Sequence, residues 1–363
     1  MSDAFRELLK KVGSGSHTSK SLTRTEAASA TRMMLEQIAT PAQIGAFMIA
    51  HRIRRPTPEE LAGMLDCYEQ LGPQLQPIDS TYPVTVFNSP YDGRSRTAPI
   101  SPFTALVLAA SNAPAVLHGG DRMPTKYGLP LVELWQALGV DWTPLSLSQV
   151  QTVFQQTGIG FVYMPRHFPA AQGLVTYREQ LGKRPPIATI ELMWSPYGGQ
   201  AHVVSSYVHP PTEARTQTAF SMRGTTRFST IKGLEGSCDL PRSRTAIIGT
   251  QSPTTDFERL LLQPREYGLA DIDPPLVPLP ELIIQAQAAL KGEMNALTES
   301  IVWNGGFYLW QSGVTHSFKT GLDRAKESLN NGSALAQLSN LIDAIHTVKK
   351  MASPERAYSH SGS

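Results

Sequence analysis

The chain changes character once, and that change limits what it can fold into. Residues 3 to about 72 read as helices, a stretch rich in Pro and Gln follows at 73–83, and beyond it short β-prone runs alternate with helices. Phe5, Leu8, Leu9 and Val12 recur at helical spacing, and Gly13-Ser14-Gly15 breaks that helix. Thr23-Arg24-Thr25-Glu26 has the capping-box pattern, in which the threonine hydroxyl accepts from a first-turn amide and the glutamate reaches back. Thr40-Pro41 and Thr57-Pro58 each put proline at a first helical position, where its N–H is not needed. Glu59 and Glu60 suit the positive end of the second of these helices.

Residues 83–87 and 115–117 are short strands, separated by a helix at 104–110 and followed by another near 131–138. That alternation predicts a parallel sheet. Residues 159–163 and 245–249 are further strands, 250–280 read as irregular, and helices return from Glu281. The expected fold class is α/β: a small N-terminal helical domain (residues 1–75, with a returning segment near 168–186) plus a large α/β domain (76–352). The latter has a central, mainly parallel sheet and flanking helices. The polar tail, 353–363, is expected to be disordered.

Hydrophobic residues make up 41% of the chain and charged residues 17%, enough for a sizeable core. A formal net charge of +2 does not by itself call for a nucleic-acid partner. Two cysteines, Cys67 and Cys238, match no zinc or disulfide framework and predict a reduced, cytoplasmic setting. No run approaches the roughly 18 to 20 apolar residues of a membrane helix. The charged, helical start does not read as a signal peptide.

Residues 43–63, 263–269, 289–292, 302–309 and 321–325 together resemble, in order and spacing, the anthranilate phosphoribosyltransferase family, of the glycosyltransferase family 3 fold. The resemblance implies an active site in the cleft between a helical and an α/β domain, and a homodimer through the helical domain. It also implies transfer of a phosphoribosyl group from ribosyl diphosphate, with magnesium as cofactor, through an oxocarbenium-like transition state.

The motifs that carry that chemistry are altered. Backbone amides of a Gly-rich loop suit pyrophosphate. Where the family has G-T-G-G-D-G, this chain has Asn88-Ser89-Pro90-Tyr91-Asp92-Gly93, which keeps only Asp92 and Gly93 and is equally readable as a turn. Arg94 and Arg96 follow, and are candidates to bind phosphate through side chains instead. The family's N-I-S-T becomes Pro99-Ile100-Ser101-Pro102, leaving Ser101 as a candidate metal and substrate contact. K-H-G-N-R becomes Leu117-His118-Gly119-Gly120-Asp121-Arg122; His118 and Gly119 persist, and a strand-end structural histidine is the plainer reading. R-x-x-L-G-x-R is matched from Arg178 to Arg184, so the resemblance places Arg178 near the acceptor; a salt bridge to Glu179 or another acid is its structural alternative.

Adjacent acids hold magnesium in the family, as that ion's preference for hard oxygen ligands requires. Here the stretch is Lys232-Gly233-Leu234-Glu235-Gly236-Ser237-Cys238-Asp239. Cys238 replaces one acid, and a thiolate is a poor magnesium ligand. Glu235 and Asp239 remain as weak metal candidates, with Lys232 as an opposing cation. These losses predict that anthranilate is not the acceptor. Two readings stay open. One is transfer of a phosphoribosyl or other pentosyl group from ribosyl diphosphate or a related sugar phosphate. The other is a non-catalytic paralogue that binds single-stranded or duplex nucleic acid through Lys10, Lys11, Lys20, Arg52, Arg54 and Arg55.

Overall fold

A computed structural model describes residues 3–15 and 17–352. The expected disordered tail lies outside the described residues. The N-terminal part is four helices: α1 (Asp3–Gly13), α2 (Arg24–Leu35), α3 (Pro41–Arg54) and α4 (Pro58–Leu71). Thr23, Thr40 and Thr57 each cap a helix, and Glu26, Gln43 and Glu60 reach back to the cap amide. Each box satisfies two amides that the helix itself leaves unpaired. Glu60 is buried and does more. It accepts from the Thr57 amide at 2.7 Å and the Leu22 amide at 2.8 Å, and it pairs with Arg54. It therefore ties α4 to the segment before α2. The helices meet closely: a Cβ on Gly63 would lie 2.0 Å from the Arg24 carbonyl oxygen.

The larger part is built on one seven-stranded sheet. Its strands are β1 (Val84–Phe87), β2 (Ala115–Gly119), β3 (Ile159–Tyr163), β4 (Ala201–Ser206), β5 (Phe228–Ile231), β6 (Ala246–Ser252) and β7 (Thr255–Leu262), in the order β3-β2-β1-β4-β5-β6-β7. The first five are parallel, and β6 and β7 are antiparallel. Every residue of β1, β2 and β5 is buried, as strands covered on both faces must be. Trp135, Trp142 and Trp303 are fully buried, and Trp142 stacks on Phe161 of β3.

Two features differ from expectation. Residues 250–280 are not wholly irregular, because β6 runs to Ser252 and β7 occupies Thr255–Leu262. β7 is a largely exposed edge strand, so it carries no burial alternation to betray it. β4 and β5 also escape sequence reading, being short and mixing Ser, Thr and His with apolar residues.

Helix Pro210–Met222 packs on α4, and helix Val175–Leu181 packs on α3. Tyr177 Oη donates to Gln37 at 2.8 Å, and Arg52 Nε to the Arg184 carbonyl at 2.9 Å. These contacts set the walls of a cleft between the two parts. No helix among the described residues is long and apolar enough to cross a membrane.

Candidate functional site

Parallel strands deliver their following loops to one edge of a sheet, where α/β folds bind ligands. Here the ends of β1, β2, β4 and β5 and the loops that follow bring together Asn88–Gly93, His118 and Gly119, Ser206–Pro210, and Lys232–Asp239.

The loop after β1 is fastened to the protein itself. The amides of Asn88, Gly93 and Arg94 donate to the carbonyls of Val204, Pro90 and Leu129, at 3.0–3.1 Å, and Pro90 has no amide hydrogen to offer. Gly93 has φ +76°, and a Cβ there would stand 2.6 Å from the Gly128 backbone. A close chain approach is thus enough to require this glycine. Asp92 is fully buried and accepts from Arg184 Nε at 2.7 Å.

Arg94 departs from the phosphate-binding role read for it. Its side chain is 4% exposed and turns inward. Nη1 donates to Asp239 Oδ2 and to Ser237 Oγ, both at 2.6 Å, and Nε lies 3.4 Å from Glu235 Oε1. Glu235 also accepts from the amides of Ser95, Arg96 and Thr97 at 3.0–3.2 Å and from Lys126 at 3.2 Å. Burial would raise its pKa. The Arg96 amide, the Arg94 charge, the Thr97 amide and Lys126 outweigh that and hold it well below the usual carboxylate range. Asp239 takes a further bond from the Ile100 amide at 3.0 Å. Arg96 is 78% exposed and lies 3.8 Å from Glu235. The cation facing the acids is therefore Arg94, with Lys126 beside it; Lys232, the opposing cation expected from sequence, forms no ion pair with them among the described residues.

Ser101 is buried at the start of helix Ser101–Ala109, and its hydroxyl has no hydrogen-bond partner among the described residues. It lines a cavity shared with Gly93, Arg94, Ser237 and Asp239, of only about 10 Å³. That is room for about one water and not for a diphosphate. Cys238 donates its thiol to the Asn88 carbonyl at 2.8 Å, and burial pushes its pKa well above the usual thiol range. The residues do not fit a magnesium site. Octahedral coordination needs free oxygen donors, whereas both oxygens of Glu235 and Oδ2 of Asp239 are taken up by arginine, lysine and amide hydrogens. No group of three or more His, Cys, Asp or Glu side chains among the described residues is arranged to hold a metal.

His118 is buried in a chain of hydrogen bonds. Its Nε2 meets Asn88 Oδ1 at 2.6 Å, and Nδ1 meets the Tyr91 hydroxyl. Asn88 Nδ2 donates to the Val204 carbonyl, so its oxygen faces the ring and accepts. The ring is then neutral with the proton on Nε2, and Tyr91 donates to Nδ1. Burial lowers the His118 pKa to about 3. Gly119 is buried at the end of β2. Arg178 Nη1 binds Glu191 at 2.9 and 3.1 Å, so its partner is Glu191; Glu179 instead accepts from the Tyr127 hydroxyl. Burial raises the Glu191 pKa, and Arg178 works against that. Arg178 Nε is buried and has no hydrogen-bond partner among the described residues.

The open space lies beside this packed region. A cleft of about 590 Å³ is lined by Arg52, Arg55, Arg178, Arg184, Arg215, His209 and Tyr207, among others. Of these, Arg184 stood at the end of a motif already quoted, while Arg215, His209 and the wall residue Glu191 had no sequence signal. Among the basic residues read as a nucleic-acid surface, Lys10 pairs with Glu7, Lys11 with Glu26 and Arg54 with Glu60. Lys20 is exposed, and Arg52 and Arg55 face the cleft.

Residues 6–72 match the helical bundle domain of the glycosyl transferase family, and residues 92–335 match its a/b domain. The chain belongs to this glycosyl transferase family. Family relatives include the anthranilate phosphoribosyltransferase of Azorhizobium caulinodans, 27% identical over 350 residues, covering 94% of this chain and 97% of that one. That of Paracidovorax citrulli is 24% identical over 322 residues, covering 86% and 89%. Solved family structures share the fold. Anthranilate phosphoribosyltransferase from Thermus thermophilus superposes with a TM-score of 0.76 at 21% identity, over 95% of this chain and all of that one. The Saccharomyces cerevisiae enzyme in complex with PRPP and Mg gives 0.78 at 17% identity, over 94% and 98%.

Proposed function

We propose that this chain is a divergent anthranilate phosphoribosyltransferase-like protein. Its cleft takes ribosyl diphosphate or a related sugar phosphate through arginine side chains and without a magnesium ion. Any group transfer it performs moves a phosphoribosyl or other pentosyl group to an acceptor other than anthranilate. The observation that carries this reading is the Arg94 guanidinium lying between Asp239 and Glu235. A fixed positive charge thus stands against the acids that would otherwise recruit a metal. Metal charge is a large part of what drives pyrophosphate departure in such reactions, so a site built this way suits binding better than fast transfer. The test is calorimetric titration of the full chain with ribosyl diphosphate, with magnesium added and with a chelator present. Equal affinity in both supports the reading; binding only with magnesium contradicts it.

The nucleic-acid alternative gains no support from Lys10, Lys11 and Arg54, whose charges are spent on neighbouring acids. The homodimer is part of the proposal: Ile38 and Ile53 on the helical part are 51% and 74% exposed, a surface that a second copy would cover. Sedimentation of the purified chain as a monomer would refute it.

A further inference from the structure

We infer a phosphate-binding site at the mouth of the cleft, formed by Arg55 and Arg215 with Arg52 and His209 beside them, for the phosphate or diphosphate group of a small ligand. It rests on the cleft reading above for the ligand's size but not for its charge, and it is separate from the filled position behind Asn88–Gly93.

Arg55 is the C-cap of α3, and Arg215 belongs to helix Pro210–Met222 of the α/β part. The Arg215 guanidinium spans the gap. Nη1 lies 3.4 Å from the Pro56 carbonyl, next in sequence to Arg55, while Nε holds the Pro211 carbonyl at 2.9 Å. Both arginines line the same cavity with Arg52 and His209.

Their charges are not balanced by the protein. Among the described residues, Arg52, Arg55 and Arg215 form no ion pair with a carboxylate, whereas the two acids of the cleft wall are committed elsewhere: Glu191 to Arg178, and Glu235 to Arg94 and Lys126. Burial, and then the Arg55 charge, lower the pKa of Arg215 from its ordinary value. The pair therefore repels across a partly desolvated gap, an arrangement that an intervening anion relieves. Arg55 also holds φ +63° with ψ 122°, a backbone region costly for a residue with a side chain. Like charges at one spot favour a ligand that bridges them.

The chemistry of the ligand follows from the donors and the space. Guanidinium forks match phosphate oxygens. A volume near 590 Å³ lies within the range of small-molecule pockets. Oligonucleotides need a long basic track instead, and Lys10 and Lys11 of α1 are paired with Glu7 and Glu26.

The experiment is calorimetric titration of the full chain with inorganic pyrophosphate at low salt, for the wild type and for R55Q, R215Q and R215K, with melting curves confirming the fold. We expect R55Q and R215Q each to weaken binding at least tenfold, and R215K to lose less than R215Q. If a glutamine variant fails to fold, R52Q, at an exposed position, gives a further substitution, expected to weaken binding about threefold or more. Absence of wild-type binding, or glutamine variants that bind like the wild type, overturns the inference. So does a single-stranded oligonucleotide that displaces pyrophosphate at lower concentration than ribosyl diphosphate does. If pyrophosphate and ribosyl diphosphate bind equally, with the same losses in R55Q and R215Q, the anion site stands and the sugar-phosphate reading fails.

Discussion

Arg94 Nη1 stands 2.6 Å from Asp239 Oδ2, with side chains 4% and 2% exposed. A buried pair of this kind is most costly to break from one side, since the remaining charge has no water and no partner. Arg94→Met should therefore destabilise the fold by about 3–5 kcal/mol. Urea unfolding monitored by circular dichroism measures it. A loss within the roughly ±0.5 kcal/mol typical of surface substitutions would mean the pair is not formed.

The same contact predicts how the protein responds to metal. A ligand that binds only the native state raises its melting temperature. Millimolar magnesium should leave the wild-type melting temperature unchanged, because both oxygens of Glu235 and Oδ2 of Asp239 are already engaged and the Arg94 charge lies against them. In Arg94→Ala the acids are released, and magnesium should restore part of the lost stability. A clear magnesium-dependent rise in the wild type would contradict the account.

Acid should unfold the protein through particular carboxylates. Burial would raise the Glu60 pKa, but His51 and the amides of Thr57 and Leu22 bring it down to about 2, from an ordinary 4.5. A carboxylate so depressed contributes stability above its unfolded value and loses it as pH falls through the folded one. Glu60 should thus contribute on the order of 3 kcal/mol at neutral pH, lost between pH 4.5 and about 2. Glu235, also depressed, adds to the loss in the acid range. Chemical denaturation from pH 6 to 2 should show a shallower slope for Glu60→Gln than for the wild type; parallel slopes would count against this assignment.

Buried His118 gives a spectroscopic prediction. Its pKa lies at about 3, because burial disfavours the cation. Histidine with a lowered pKa takes up protons mainly on unfolding, so stability falls as pH drops from 6.5 toward 3. Imidazole nitrogen shifts by NMR should report the neutral Nε2–H tautomer throughout pH 8 to 5. A titration midpoint near 6.5 would place the ring in water.

What was legible in the sequence divides along physical lines. The cap at Thr23 was readable because its bonds run between residues three apart, and the helix starts at Thr40 and Thr57 because proline marks the first helical position. Apolar runs such as 159–163 were readable because burial on both faces leaves a continuous pattern. β7 was not, since an exposed edge strand with Asp, Glu and Arg has no such pattern. In the site, the loss of acids and glycines could be seen residue by residue. The partners could not: Arg94 meets Asp239 across 145 positions, Arg184 meets Asp92 across 92, and Arg178 meets Glu191 across 13. Those pairings are set by tertiary geometry, which is why Arg94 read as a free phosphate ligand. Arg215 carried no motif at all, and its meaning lies only in what it faces.

The central claim is that a guanidinium fills the place where acids would recruit a catalytic ion, leaving no site for magnesium-driven departure of diphosphate. The most direct measurement is turnover by the purified chain, supplied with anthranilate, ribosyl diphosphate and magnesium, followed by the disappearance of free anthranilate. The account predicts no turnover above a reaction lacking protein. Steady, magnesium-dependent consumption of anthranilate would contradict it.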